Sequence, residues 1–156
     1  MRTLMEDCPL LQITAGLEDL APIRDYIRVR AAALKIDAST TYDLLLAVTE
    51  IVTNMLVHGY QKKAGFVEVE VNQEGNTLVV HLRDRAAPFD PTRVKPPDLS
   101  LPLEKRPLGG MGIYLVNQMV DTVSHRNLPQ GGNEITLVIN GISARIAQEG
   151  SNGNAR

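Results

Sequence analysis

The sequence predicts an α+β fold, a two-layer α/β sandwich with helices on one face of a mixed, mostly antiparallel sheet. Three observations support this prediction. Apolar residues recur at helical spacing in two long segments early in the chain. Later in the chain, apolar residues alternate with polar ones in segments that are connected by short turns. The predicted helices and strands also come in blocks along the chain rather than alternating one by one. The 156 residues suffice for one domain with its own core.

The first part of the chain predicts one short strand and two helices. Residues 10–14 form an apolar run that fits an edge strand, and residues 17–34 carry apolar side chains three and four positions apart. A second helix is predicted from Tyr42 to Tyr60. Asp37 and Ser39 are its candidate N-caps, because their side chains can accept a hydrogen bond from a free backbone N–H.

The later part predicts a hairpin, a shorter helix and two further strands. Apolar and polar residues alternate from Phe66 to Asn72, and Glu74-Gly75-Asn76 provides a turn to the next strand. We expect one domain over residues 1–142 and a polar, frayed tail from residue 143. The predicted elements are strands at 66–72 and 78–82, a helix at 112–120, and strands at 123–127 and 134–139.

A proline-rich stretch separates the hairpin from the last helix. Between Asp84 and Met111 the chain has six of its nine prolines and no regular apolar spacing. Proline has no N–H to donate, so this stretch cannot build a hydrogen-bonded ladder. Long irregular segments inside a compact domain are usually lids or binding loops. We therefore predict a lid over residues 85–111.

Composition argues against two classes of partner. The net charge is −2, no dense basic run occurs, and aromatic residues are only 4% of the chain, which argues against direct binding of nucleic acid. No stretch reaches the roughly 20 apolar residues of a membrane span. Cys8 is the only cysteine, so no internal disulfide can form, and we expect a cytoplasmic protein.

The second helix carries three polar residues in an otherwise apolar segment. Glu50, Asn54 and His58 are four positions apart and therefore lie on one stripe. A carboxylate can act as a base, and an amide oxygen is a hard ligand that suits magnesium. The alternative is a polar seam on a surface helix, with His58 in a packing or capping role. The pattern HExxH is absent, which argues against a zinc protease.

Two further places resemble parts of a ligand site. Asp84 ends a predicted strand, where its carboxylate can accept a hydrogen bond from an exocyclic amine, although a strand-ending aspartate in a turn is the simpler interpretation. The segment Gly109 to Gly112 opens a helix, where backbone N–H groups attract phosphate. It matches neither a P-loop nor a Rossmann fingerprint, and it can equally serve as a lid hinge.

Together these features resemble the histidine-kinase-like ATPase superfamily, also called the GHKL or Bergerat fold. The resemblance runs from about Tyr42 to Asp121. Within the superfamily the chain is most similar to the small anti-sigma serine kinases of the RsbW and sporulation type. Three segments carry this likeness: TEIVTNMLVHGY from Thr49, PFDP from Pro88, and GGMGIYLVNQMVD from Gly109.

The resemblance implies a role for each matching residue. Glu50 would be the general base for a protein serine hydroxyl. Asn54 would bind Mg²⁺ that bridges the phosphates of ATP, and Asp84 would bind the adenine amine. The implied phosphate-binding residues are Gly109, Gly110, Met111 and Gly112.

One position departs from the family pattern. Ala86 stands where the family usually has glycine, two residues after the adenine-binding aspartate. Its methyl group is expected to lie near the base, where it would crowd the base or alter the turn after the strand. Lys105 and Arg106 are cations of the lid that could reach a γ-phosphate, but the motif assigns neither of them a position.

The resemblance also implies partners. The leading hypothesis is an anti-sigma factor that binds a sigma factor and uses Mg-ATP to phosphorylate a serine of a STAS-type anti-anti-sigma antagonist. The related kinases pair, so we expect a homodimer. A second hypothesis is a non-catalytic ATP-binding partner module, which Ala86 favours and the retained Glu50 disfavours. A third, the ATPase core of a histidine kinase or chaperone, ranks last because we expect 156 residues to be too few to hold a phosphoacceptor helix hairpin or a transducer domain as well.

Overall fold

The computed structural model describes residues 10–93, 98–105 and 111–142. In these residues five strands and three α-helices form two layers. A π-helical turn, Met55–Gly59, and two short 3₁₀ turns, Pro91–Arg93 and Leu103–Lys105, complete the regular structure. The elements are β1 (Leu10–Ala15), α1 (Ala21–Ala33), α2 (Ala38–Asn54), β2 (Gly65–Glu74), β3 (Thr77–Asp84), α3 (Met111–Met119), β4 (Thr122–Asn127) and β5 (Asn133–Ile139).

The strands form one open sheet in the order β1-β2-β3-β5-β4. All four pairings within the described residues are antiparallel. The predicted α+β sandwich is therefore confirmed, and the sheet belongs wholly to the antiparallel type. β5 lies between β3 and β4 and is an interior strand, so within the described residues β1 and β4 form the two edges of the sheet.

The core lies between one face of the sheet and the helices. Alternate residues of the central strands face inward, which is the expected result of the two-residue period of a strand. Val69, Leu82 and Leu137 are fully buried examples from three strands, and Leu44 and Val52 of α2 pack in the same cluster. No helix within the described residues combines the length and the apolar character that crossing a membrane requires.

The helix starts differ from the predicted ones for local reasons. α1 begins at Ala21 rather than at Leu17, because Gly16 and Asp19 form an isolated antiparallel bridge. The N-cap of α2 is Asp37, whose Oδ2 accepts a hydrogen bond of 3.0 Å from the Thr40 N–H. Of the two candidate N-caps, Ser39 lies inside the helix.

The predicted continuous helix to Tyr60 is wrong in its last turn. α2 ends at Asn54, and the π-helical turn follows, closed by a 2.9 Å hydrogen bond from the Tyr60 N–H to the Met55 carbonyl. Single π turns inside α-helices are frequent at functional sites. In this wider turn His58 is exposed, and its ring stacks on Phe89 with a centroid distance of 5.2 Å.

A row of polar side chains crosses the sheet face that the helices leave uncovered. The row consists of one residue from each strand. Every neighbouring pair is joined by a hydrogen bond of 2.6 or 2.7 Å. Arg83 at the centre also donates to Glu70 at 2.8 Å, so three carboxylates surround one guanidinium. In sheet order the polar row is Gln12, Glu68, Arg83, Glu134 and Arg126.

Glu134 is predicted to make the free energy of unfolding depend on pH in the acidic range. The hydrogen bond from Arg126, together with Arg83, lowers the pKa of Glu134 from 4.5 to about 2. A lowered folded-state pKa stabilises the protein above the unfolded-state pKa, and this stabilisation is lost as pH falls from 4.5 toward 2. Glu134→Gln should therefore cost about 1–3 kcal/mol of unfolding free energy at pH 7 and much less near pH 2.5.

Urea unfolding at pH 7, 4 and 2.5 would measure this difference. Glu74→Gln is the matched control, because Glu74 is exposed at the β2–β3 hairpin. A cost of Glu134→Gln that is equal at all three pH values would contradict the assignment.

Candidate functional site

Asp84 is buried at the end of β3, and a second strand fixes its carboxylate. Its Oδ1 accepts hydrogen bonds from the Asn133 backbone N–H at 3.1 Å, from Asn133 Nδ2 at 2.9 Å and from the Ala86 N–H at 3.0 Å. No residue that the structure describes donates a hydrogen bond to Oδ2. The carboxylate is thus held by one oxygen and offers the other as an acceptor.

Asp84 and Asn54 line the same pocket. The pocket lies between the C-terminal end of α2 and the ends of β3 and β5, and most of its lining is apolar. The structure thus brings together two residues that the sequence places 30 positions apart. The lining residues are Ile51, Asn54, Met55, Gly59, Asp84, Phe89, Pro91, Asn133 and Ile135.

Glu50 lies one turn before Asn54 on α2 and contacts the first turn of α3. A Cβ atom built on Gly112 would lie 2.5 Å from Glu50 Oε2, so the carboxylate occupies the space beside the bare glycine backbone. The start of a helix attracts negative charge, which favours this placement. Glu50 is not among the residues that line the pocket of Asp84.

The remaining predicted phosphate-binding residues are only partly described. Met111 is the first residue of α3, and Gly112 follows it. Gly109, Gly110 and Arg106 lie outside the described residues. Lys105 ends a 3₁₀ turn and is exposed.

Ala86 is buried and does not belong to the pocket lining. The expectation that its methyl group crowds the base therefore finds no support in the geometry. The methyl group instead faces Gly59, where an added Cβ would lie 2.8 Å from the Ala86 Cβ. Gly59 does line the pocket. The chain thus accommodates the methyl group at position 86 with a glycine in the π-helical turn.

Tyr60 joins this turn to the strands beside Asp84. Its hydroxyl donates to the Phe66 carbonyl at 2.7 Å and accepts from the Arg85 N–H at 2.8 Å. Burial raises the pKa of this phenol, so it stays protonated and can make both bonds. The residue after Asp84 is thereby fixed to the end of the helix that carries Asn54.

Asn133 is the residue of the site that the sequence analysis missed. Besides Asp84, its Nδ2 donates to the Ala87 carbonyl at 3.0 Å, and its Oδ1 accepts from the Phe89 N–H at 3.0 Å. His125 Nε2 lies 2.8 Å from the same Oδ1. Asn133 occupies an inward position of the alternation that continues at Ile135. A polar residue at an inward position is the signal that could have revealed it.

The contact between Gly59 and Ala86 predicts strongly coupled substitutions. Gly59 has an ordinary negative φ, so steric overlap rather than backbone conformation excludes a side chain there. Gly59→Ala should cost about 1–3 kcal/mol of unfolding free energy through overpacking. Adding Ala86→Gly should recover most of that loss.

Urea unfolding of both single variants and of the double variant would give the coupling energy. We expect a favourable coupling of at least about 1 kcal/mol, whereas separate sites add within about 0.5 kcal/mol. Strictly additive costs would show that the two residues do not compete for the same space.

This chain is similar to known proteins of one family. A family model described as a histidine kinase-like ATPase domain matches residues 13–139. Serine-protein kinase RsbW of Bacillus cereus strain AH820 is 28% identical over 117 residues, which cover 72% of this chain and 73% of that protein. RsbW of Bacillus thuringiensis strain Al Hakam has the same identity and coverage.

Two solved structures share the fold. The RsbU and RsbW domains of Rv1364c from Mycobacterium tuberculosis align with a TM-score of 0.57 at 21% identity, over 85% of this chain and 32% of that longer chain. The histidine kinase domain of the blue-light activated kinase EL346 from Erythrobacter litoralis aligns with a TM-score of 0.52 at 17% identity, over 80% of this chain and 63% of that one. With the family model spanning most of its length, the chain belongs to the histidine kinase-like ATPase domain family.

Proposed function

We propose that this protein is an anti-sigma factor and serine/threonine-protein kinase that uses Mg-ATP in a partner-switching module. The observation that carries the proposal is the arrangement of three residues. Asp84 and Asn54 share one pocket, and Glu50 lies one helical turn from Asn54 against the start of α3. The likeness to proteins named serine-protein kinase RsbW supports the choice of reaction.

The base of ATP binds at the Asp84 end of the pocket. Asp84 Oδ2 accepts the hydrogen bond of the adenine amine, while Asn133 and the Ala86 N–H hold Oδ1 in place. Ala86 therefore contributes through its backbone rather than through its methyl group. We further propose that the segment Gly109 to Gly112 binds the phosphates at the start of α3.

Asn54 is the proposed protein ligand of magnesium. The described residues contain no group of three or more His, Cys, Asp or Glu side chains that could hold a metal ion by themselves. An amide oxygen with few protein partners suits Mg²⁺, which usually takes its other ligands from phosphates and water. When bound, the ion neutralises charge on the phosphates.

Glu50 is the proposed general base. Its carboxylate takes the proton of the antagonist's serine hydroxyl while the serine oxygen bonds to the γ-phosphorus. The bond from the γ-phosphorus to the β–γ bridging oxygen breaks, and ADP leaves with that electron pair. Phosphoryl transfer depends on positioning and on charge neutralisation, so a carboxylate that lies beside the start of α3 is suitably placed.

The partners follow from the same proposal. The protein binds a sigma factor in one state and phosphorylates a STAS-type anti-anti-sigma antagonist in another. We retain the homodimer, the cytoplasmic location and the lid at residues 85–111 as predictions from the sequence.

Asp84→Asn is predicted to weaken ATP binding. The amide keeps an oxygen for the three donors at Oδ1 and places an NH₂ group where the adenine amine needs an acceptor. Calorimetry with Mg-ATP should show a loss of about 1–3 kcal/mol. Asp25→Asn on the exposed face of α1 is the matched control. Unchanged affinity in the Asp84 variant would remove Asp84 from the site.

Glu50→Gln is predicted to separate binding from catalysis. The two side chains are nearly isosteric, so the fold, ATP binding and sigma-factor binding should persist. Phosphorylation of the antagonist should fall by roughly 10²–10⁴-fold, the usual contribution of a positioned general base.

Transfer of labelled phosphate from ATP to candidate antagonist proteins, read as phosphoserine, would measure this loss. Glu74→Gln serves as the control, because its carboxylate is exposed at the far hairpin. Transfer at the wild-type rate by Glu50→Gln would show that Glu50 is not the base. If the wild-type protein binds ATP yet phosphorylates no candidate antagonist, the non-catalytic module becomes the better assignment.

A further inference from the structure

The pocket that Asp84 shares with Asn54 has almost no free space. Its volume is about 10 Å³, which is roughly room for one water molecule. Pockets that hold ligands of nucleotide size usually have volumes of about 300–1,000 Å³. A purine therefore cannot enter the pocket that Asp84 shares with Asn54 unless part of its lining moves. The roomier pocket of about 420 Å³ that Asp84 also lines contains neither Asn54 nor Phe89.

Most of the lining is held by regular structure. Ile51 and Ile135 are buried residues of α2 and β5 that belong to the core cluster. Asn133 is tied to Asp84 by two hydrogen bonds. Phe89 instead comes from the irregular segment after β3, and Pro91 begins the short 3₁₀ turn that follows it. Of the two, Phe89 is the side chain that can leave without unfolding a helix, a turn or a strand.

Phe89 is placed to fill the base end of the pocket. It is half-buried, and its flat ring stacks on His58 with an interplanar angle of 23°. Its backbone N–H donates to Asn133 Oδ1, and Asn133 Nδ2 binds Asp84. A planar apolar ring thus lines the same pocket as the proposed acceptor of the adenine amine.

We propose that Phe89 is a plug that occupies the base end of the nucleotide pocket and is displaced when ATP binds. This inference rests on the proposed function, since the displaced ring makes room for adenine. His58 holds the plug from outside, and the Phe89 N–H anchors the segment to Asn133. Removal of the ring leaves the backbone anchor intact and abolishes the competition with the base.

The sign of the effect on affinity distinguishes a plug from a stacking platform. When only a fraction of the protein molecules is in the state that can bind ATP, the apparent affinity for ATP is the intrinsic affinity multiplied by that fraction. Phe89→Ala should therefore tighten Mg-ATP binding by roughly 5–30-fold, given the apolar surface of a half-buried phenylalanine. A residue that stacks on bound adenine would produce the opposite result. His58→Ala should shift affinity in the same direction as Phe89→Ala, by a smaller factor.

The matched control is Phe66→Ala. Phe66 is the chain's other phenylalanine, is also half-buried, and contacts Arg85 rather than the pocket. Calorimetry should give the Phe66 variant an ATP affinity within about twofold of wild type, because its ring does not line the pocket that Asp84 shares with Asn54. Thermal melting adds a second readout. Phe89→Ala should lower the melting temperature more without nucleotide than with saturating ATP, whereas Phe66→Ala should lower both equally.

Each outcome decides between the two proposals. If the wild-type protein binds ATP and Phe89→Ala binds it equally or more weakly, the plug is wrong while the proposed function stands. If only the Phe89→Ala variant binds ATP measurably, the plug is supported, and in the wild-type protein Phe89 keeps the pocket closed to ATP. If neither protein binds ATP, the proposed function fails and the plug fails with it.

Discussion

The hydrogen bonds between Asn133 and Asp84 organise this end of the molecule. They join the last residue of β3 to the first residue of β5, where the regular ladder between the strands stops. Both side chains are buried, and a buried polar network is stabilising only when its members have partners. Through Ala87 and Phe89, the same asparagine also positions the chain that leaves β3. The pocket therefore depends on one amide side chain that the sheet itself presents.

Helix α2 serves the core and the site at the same time. Its buried face packs in the core through residues such as Val48 and Ile51. This packing fixes the rotation of the helix about its axis, and with it the position of every other side chain on the helix. Glu50 and Asn54 lie near that packed face and are only partly exposed. The π-helical turn after Asn54 then redirects the chain, so that Gly59 can approach Ala86. Precise placement of the proposed catalytic side chains is thus a result of ordinary core packing.

Local sequence patterns predicted most of the fold because one-sided burial produces them. The alternation around Val69 and the cap at Asp37 arise from residues close in the chain, and both appear in the structure. The π-helical turn and the bridge at Gly16 change where helices end and begin, and no periodicity indicates them. Boundaries were therefore less predictable than the elements themselves.

The candidate site was predictable only where motifs name its residues. Asp84 and Asn54 were expected to meet, and they line one pocket. Asn133 was missed because the partners that place it in the site, Asp84, Ala87 and Phe89, lie more than 40 positions away along the chain. The contact of Ala86 with Gly59 was likewise invisible, since a departure from a motif does not reveal the residue that accommodates it. Contacts between distant residues require the fold to be known.

The polar row on the uncovered sheet face has a consequence for how this sequence can change over time. Each of its members is hydrogen-bonded to the next, so no position in the row is independent. Loss of Arg83 alone would leave Glu68, Glu70 and Glu134 facing one another without a central cation. Close carboxylates repel, so tolerated changes at these positions must come in compensating sets. Among homologues, we expect the row to be retained or replaced as a unit.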